Sequence, residues 1–287
     1  MVFAQLSHAL SLNDVCDTLR HHVGALGTIR NATAPSRNGL AHANRVRNAL
    51  MAQDLFHQTL GHLSSQFPRF GRFDSSFKLP RRIKRTINII DSTTIQLFAN
   101  CMDWAKHRRR KAAAKCHMLL DARTFLPRFA VVKTANSHDA VVGRRLCNQL
   151  REGEIVVFDK AYVDFKHLYE LMQNGVLWVT RAKSNMSYRV IKKKRRNNNS
   201  ILLDAIIMLK GPKSRKDYPE TFRLIKADDL RDGRLVSMEF ITDNFVFSAL
   251  TICDIYKARW DIELFFKQLT QVSQHTRKSL IYLTKFR

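Results

Sequence analysis

The chain has 287 residues, 45% of them apolar, enough for one large or two ordinary domains with a real core, which excludes wholesale disorder. Lys and Arg number 49 against 24 Asp and Glu, a net charge of +25, which argues against a metabolic enzyme of balanced charge and for a polyanionic partner. No apolar run is long enough to span a bilayer and the first residues do not read as a secretory leader, so no membrane partner and a cytoplasmic location are expected. Five cysteines without a C-x-x-C pair read as core thiols rather than as a disulfide framework or a zinc site.

Residues 1–70 are expected to be helical, because Leu6, Leu10, Val15 and Leu19, and later Val46, Leu50, Leu55, Leu60 and Leu63, recur at near-helical spacing. Asn13-Asp14 suits a helix start, and Arg30, Arg37, Arg45 and Arg47 suit either phosphates or a solvated face. Residues 71–85 belong to a stretch rich in Pro, Gly, Arg and Lys and read as a linker. Beyond it, Ile87, Ile89, Asp91, Thr93, Ile95 and Leu97 share one face of a strand, which sets the Asp91 carboxylate in an apolar stripe. Lys115–Asp121 and Leu126–Lys133 predict a hairpin, and Ser137 a helix cap. Ile155–Phe158 is a continuous apolar run, the mark of a doubly buried strand, with Asp159 at its carboxyl end, where open α/β sheets build their sites. Phe165, Leu168, Tyr169 and Met172 give a helix and Val176–Thr180 another buried strand. Residues 187–247 break this rhythm as a β-rich insertion, helical spacing resumes over 248–270, and 271–287 has no clear period.

Three carboxylates stand out. An unpaired acid on an apolar strand is costly and calls for a basic partner or a divalent cation, and two acids at adjacent strand ends repel until a cation joins them. Oxygen-only ligation by Asp91, Asp159 and Glu263 would suit Mg²⁺ or Mn²⁺. Tyr256, Arg259 and Glu263 are spaced to stack on one helix face, fitting a phosphate beside a metal. Each has a structural alternative: Asp91 capping a turn, Asp159 capping the helix near Tyr162, and an exposed Arg259–Glu263 pair. Two basic runs, one with Lys106, Arg108, Arg109 and Arg110, the other Lys192, Lys193, Lys194, Arg195 and Arg196 in a flexible loop, could grip a nucleic-acid backbone. His117 and His138-Asp139 lack a third ligand at zinc-like spacing and read as structural or as supports of a ligating side chain.

The phrases Ile90-Asp91-Ser92-Thr93-Thr94 and Phe158-Asp159-Lys160-Ala161-Tyr162, and the helix from Tyr256 to Lys267, together resemble the DDE transposases of bacterial insertion sequences, in particular the insertion-sequence-four group with its Y-R-E-K helix. Lys115-Cys116-His117 and Ser137-His138-Asp139 are similar to that group as well. The resemblance implies a ribonuclease H-like mixed sheet with an inserted β-rich segment and an N-terminal helical, DNA-binding domain. It further implies catalytic metal ligation of Mg²⁺ or Mn²⁺ by Asp91, Asp159 and Glu263 and phosphate positioning by Tyr256 and Arg259. The expected partners are double-stranded DNA, as terminal inverted repeats and target, and a second copy on that DNA; the expected location is the nucleoid. The chain departs from the pattern at Ala161, where the family has Gly, and at Thr270, where the last Lys would fall. Residues 271–287 are expected to be an atypical, truncated tail, leaving a chain that binds DNA and cuts it weakly.

Overall fold

The computed structural model describes residues 11–48, 50–67, 83–97, 112–134, 138–195, 198–231 and 234–267. The helices α1 (Leu12–His21), α2 (Val23–Thr28), α3 (Arg37–Val46) and α4 (Leu50–Gln66) come first. The start of α1 is capped by Ser11, whose hydroxyl accepts the Asp14 N–H at 3.1 Å, so the helix begins ahead of the expected Asn13-Asp14. Val15 packs with Leu19 and Leu40 in a small apolar cluster of this unit. Contacts divide the chain into this helical unit and a second one comprising Gly71–Ile95 and Ala114–Phe265.

The second unit is built on β1 (Ile87–Leu97), β2 (Ala112–Asp121), β3 (Pro127–Thr134), α5 (Asp139–Cys147), β4 (Ile155–Phe158), α6 (Phe165–Gln173) and β5 (Leu177–Arg181). It continues with β6 (Tyr188–Lys193), β7 (Ile201–Leu209), the short α7 (Pro212–Asp217), β8 (Phe222–Arg231), β9 (Arg234–Thr242) and α8 (Ala249–Lys257). The strands form one nine-stranded mixed sheet in the order β3-β2-β1-β4-β5-β9-β8-β7-β6. β4 runs parallel to both β1 and β5, whereas β2–β3 and the pairs from β5–β9 out to β7–β6 are antiparallel. The strand-rich segment therefore extends the same sheet through β9 rather than standing apart from it.

Packing explains the placement. All of Ile155–Phe158 is buried, as a run apolar on both faces requires. β1 departs from simple alternation: Asn88 and Ile90 are as fully buried as Ile87 and Ile89. Asn88 is tolerated because its amide is saturated, accepting from Arg128 at 2.6 Å and donating to Glu154 at 3.0 Å. Gly153 and Gly175 take φ values of 83° and 69° in the turns before β4 and β5, and the Gly153 N–H donates to the Gly175 carbonyl at 2.9 Å, which aligns the two strands. Trp178, Tyr218 and Phe222 form an aromatic knot, with ring centroids 5.1 to 6.0 Å apart, in the core that also holds Leu168 and Leu171 of α6. On the β7–β8 pair, the buried Arg223 grips Asp204 with two bonds of 2.7 Å and donates to the carbonyls of Asn244 and Phe247. Cys16, Cys116, Cys147 and Cys253 are buried and free, and burial pushes the thiols of Cys147 and Cys253 up to about 12. Among the described residues no helix is long and apolar enough to cross a membrane.

Candidate active site

The register of β1 against β4 pairs Ile90 with Phe158, so Asp91 and Asp159 are the next residues on two adjacent parallel strands, Asp159 just past the end of β4 and Asp91 within β1 where its pairing with β4 stops. Beyond α8, which Ser248 caps, the chain tightens into a 3-10 turn at Ala258–Trp260 and resumes an α-helix over 261–267. The expected single helix is thus interrupted where Arg259 sits. Arg259 Nη1 donates to Asp91 Oδ2 at 2.6 Å and Nη2 to Glu263 Oε1 at 3.1 Å, while the Tyr256 hydroxyl donates to Asp159 Oδ1 at 3.3 Å. Asp91, Asp159, Tyr256, Arg259 and Glu263 are thereby linked at one sheet edge. The Arg259–Glu263 pair is not merely a surface pair, because Arg259 is 8% exposed and reaches a residue 168 positions away. Nor does Asp159 cap a helix with its side chain; Asp164 caps α6 instead, accepting the His167 N–H at 3.0 Å. Asp91 Oδ1 accepts the N–H of Ser92 at 2.8 Å.

The charges are incompletely matched. Burial pushes the Asp91 carboxyl above its ordinary value, against the pull of Arg259 and of the Ser92 N–H, and Asp159 adds to the push. Burial opposes the Arg259 cation, yet Tyr256, Asp91, Asp159 and Glu263 together outweigh it and raise its pKa. The Tyr256 phenol is pushed up to about 12, chiefly by burial, so it is a neutral donor. Arg259 Nε is buried without a hydrogen-bond partner. The donor set is carboxylate oxygen throughout, which fits a hard divalent cation, and the under-compensated Asp91 beside Asp159 fits one electrostatically. Among the described residues no three acidic, His or Cys side chains already converge as a metal cage, and the guanidinium occupies the bridging position.

Other expected site residues are placed differently. Lys106, Arg108, Arg109, Arg110 and Arg196 lie outside the described residues. Lys192 and Lys193 belong not to a loop but to β6, the edge strand, where charge discourages pairing with another sheet; Lys194 and Arg195 follow it, and Lys194 Nζ donates to the Phe245 carbonyl at 3.0 Å. Ala161 lies in the 3-10 turn Lys160–Tyr162 and is not among the residues with positive φ, so its methyl group meets no backbone strain. Sequence reasoning gave His117 only a structural or supporting role and named no partner for it, and it gave Tyr162 none. His117 Nδ1 lies 3.0 Å from the Tyr162 hydroxyl, and a histidine in the buried strand stretch Cys116–Leu120 was the signal that a partner awaited it.

A family profile described as Transposase DDE domain matches residues 82–287. The chain belongs to the DDE transposase family. The Sinorhizobium fredii protein y4zB, named as a transposase, is 29% identical over 243 residues, which cover 83% of this chain and 63% of that one. A Geobacillus stearothermophilus protein, named as the transposase for insertion sequence element IS5377, is 28% identical over 193 residues, 66% of this chain and 49% of its own. The chain thus spans about half to under two thirds of the length of these relatives. A piggyBac transposase synaptic complex with hairpin DNA shows a distant likeness, with a TM-score of 0.38 and 11% identity over 62% of this chain and 40% of that one.

Proposed function

We propose that the chain is a DNA transposase of an insertion sequence, of the insertion-sequence-four group with a Y-R-E-K type helix and a ribonuclease H-like core. In this reading it binds terminal inverted repeats as a dimer, cuts one phosphodiester bond by hydrolysis and then joins the freed end to target DNA. The observation that carries the proposal is the convergence of Asp91 and Asp159, on the adjacent parallel strands β1 and β4 where their pairing stops, with Tyr256, Arg259 and Glu263 from the last helical segments. Asp91, Asp159 and Glu263 would hold Mg²⁺, or Mn²⁺. When bound, such ions activate the attacking oxygen and stabilise the leaving one. Arg259, a cation enclosed by acids, and Tyr256, a neutral donor, would hold the scissile phosphate against the carboxylates, supplying charge-assisted and neutral hydrogen bonds to its oxygens. Hydrolysis leaves a 3′-hydroxyl and a 5′-phosphate; in the second step that hydroxyl displaces a 3′-oxygen of the target, so one bond forms as one breaks. The +25 charge supplies the affinity for the DNA backbone.

The test uses a duplex carrying the terminal repeats that flank the gene, with Mg²⁺ or Mn²⁺. Weak cutting and joining by the native chain, lost in Asp91→Ala, are expected. Cutting without joining would make the protein a nuclease of this family, and retention of both by Asp91→Ala would remove Asp91 from the chemistry.

A further inference from the structure

Tyr162 stands on the 3-10 turn that follows Asp159, buried to 4% exposure, and its hydroxyl is hydrogen-bonded to the Ser92 side chain and, at 3.0 Å, to Nδ1 of His117 on β2. The backbone N–H of Ser92 in turn donates to Asp91 Oδ1 at 2.8 Å. A path of polar contacts therefore runs from His117 through Tyr162 and Ser92 to Asp91. It ties together β2, β1 and the turn after β4, neighbours in the sheet. His117 is fully buried and burial pushes it down to about 4, so its ring is a neutral hydrogen-bonding group whose two nitrogens play different roles. Near the same Nδ1, at 4.0 Å, lies Asp139 Oδ1, which accepts from Lys115 Nζ at 2.5 Å. The fold also makes room for the tyrosine: a Cβ added at Gly143 of α5 would come within 2.7 Å of the Tyr162 ring. A ring seated against bare backbone, with its hydroxyl aimed between a buried histidine and the residue beside Asp91, has little freedom to move.

We propose that His117 and Tyr162 are positioning residues that hold the Asp91 carboxylate, through Ser92, in the orientation from which it takes the divalent cation. This rests on the metal reading of Asp91, Asp159 and Glu263 given above. Partners that orient a ligating side chain contribute about 10- to 100-fold to metal affinity, whereas a ring that only fills space contributes to stability alone.

The experiment measures Mn²⁺ affinity of the full chain by electron paramagnetic resonance, beside its melting temperature and DNA affinity. Tyr162→Phe keeps the ring in the Gly143 niche and removes only the hydroxyl. It is expected to weaken Mn²⁺ binding about tenfold and to leave DNA binding unchanged, with a modest fall in melting temperature from the unpaired His117 ring. His117→Leu should weaken Mn²⁺ binding similarly, and His117→Asn, whose amide can again meet the hydroxyl, should restore most of it. Native Mn²⁺ affinity in Tyr162→Phe, or equal weakening by Leu and Asn at position 117, would overturn the positioning role. Asp91→Ala separates the two levels. Undiminished Mn²⁺ affinity in that variant brings down the metal reading and the positioning role with it, while loss there with native affinity in Tyr162→Phe brings down the positioning role alone.

Discussion

Two guanidinium–carboxylate contacts in this protein are built to opposite specifications. In the strand-rich half, Arg223 and Asp204 are 2% and 5% exposed, meet through two bonds of 2.7 Å, and the guanidinium has two backbone carbonyls besides. Where β1 and β4 part, Arg259 gives one bond to Asp91 and one to Glu263, its Nε has no partner among the described residues, and burial keeps the Asp91 carboxyl above its usual value. The first pair is saturated, and nothing further can bind there without breaking it. The second leaves donors and acceptors unspent, which is the condition of a site that waits for a ligand. Closeness of opposite charges is thus not the distinction between structure and function; completeness of the hydrogen bonding is.

The sharpest way to break the comparison is Arg223→Ala, which leaves Asp204 buried and alone and should cost about 3–5 kcal/mol in urea unfolding. A loss below about 1 kcal/mol would show the pair is not the closed clamp described. Asp243 adds a buried acid with no ion pair among the described residues: burial pushes it up to about 7, against the Trp178 N–H that it accepts at 2.9 Å. Its folded pKa is raised, so its favourable contribution is full below the ordinary value near 3.8 and is lost as pH rises through about 7. Asp243→Asn keeps the acceptor and removes the charge, and should stabilise the protein by about 2 kcal/mol at pH 8, with the gain vanishing near pH 4. Arg259→Gln should cost only about 1 kcal/mol, because Asp91 keeps the Ser92 N–H and its carboxyl, already held above its ordinary value, can take a proton, and added Mn²⁺ should shrink that loss but not the one at Arg223. Smallest in stability, within about 0.5 kcal/mol, is replacement of Lys192, Lys193, Lys194, Arg195 and Arg196 by Gln. That change should nevertheless flatten the slope of log DNA affinity against log salt by up to about 5 units, and an unchanged slope would leave the run as a protective edge charge.

Local patterns carried much of this arrangement. The apolar run Ile155–Phe158 ending at Asp159 and the strand entering Asp91 were readable because β-branched runs and their punctuation are local properties, and so was the order of strands and helices up to Thr180. The register that sets Ile90 beside Phe158 was not readable, since pairing between strands separated by a hairpin and a helix is decided by packing. Asn88 hid the double burial of β1, because its partners Arg128 and Glu154 lie far along the chain. Arg223 lies between the apolar Phe222 and Leu224, and only Asp204 on the neighbouring strand explains its burial. Lys192 and Lys193 read as loop on charge alone, while Val190 and the pairing with β7 make them strand. Arg259 could be placed on a face with Glu263 by helical spacing, but its reach to Asp91 depends on the 3-10 turn that the spacing does not reveal.

The separation of 168 residues between Asp91 and Arg259 also sets a timetable for synthesis. At ordinary elongation rates the ribosome needs roughly 10–30 s to pass from one to the other. Throughout that interval the nascent chain holds β1 with Asp91 and then β4 followed by Asp159, without the guanidinium that later bridges Asp91 to Glu263. Assembly of the five-residue array is therefore deferred until translation has delivered its last helical segment, and a chain released early carries the acids but not the groups that join them.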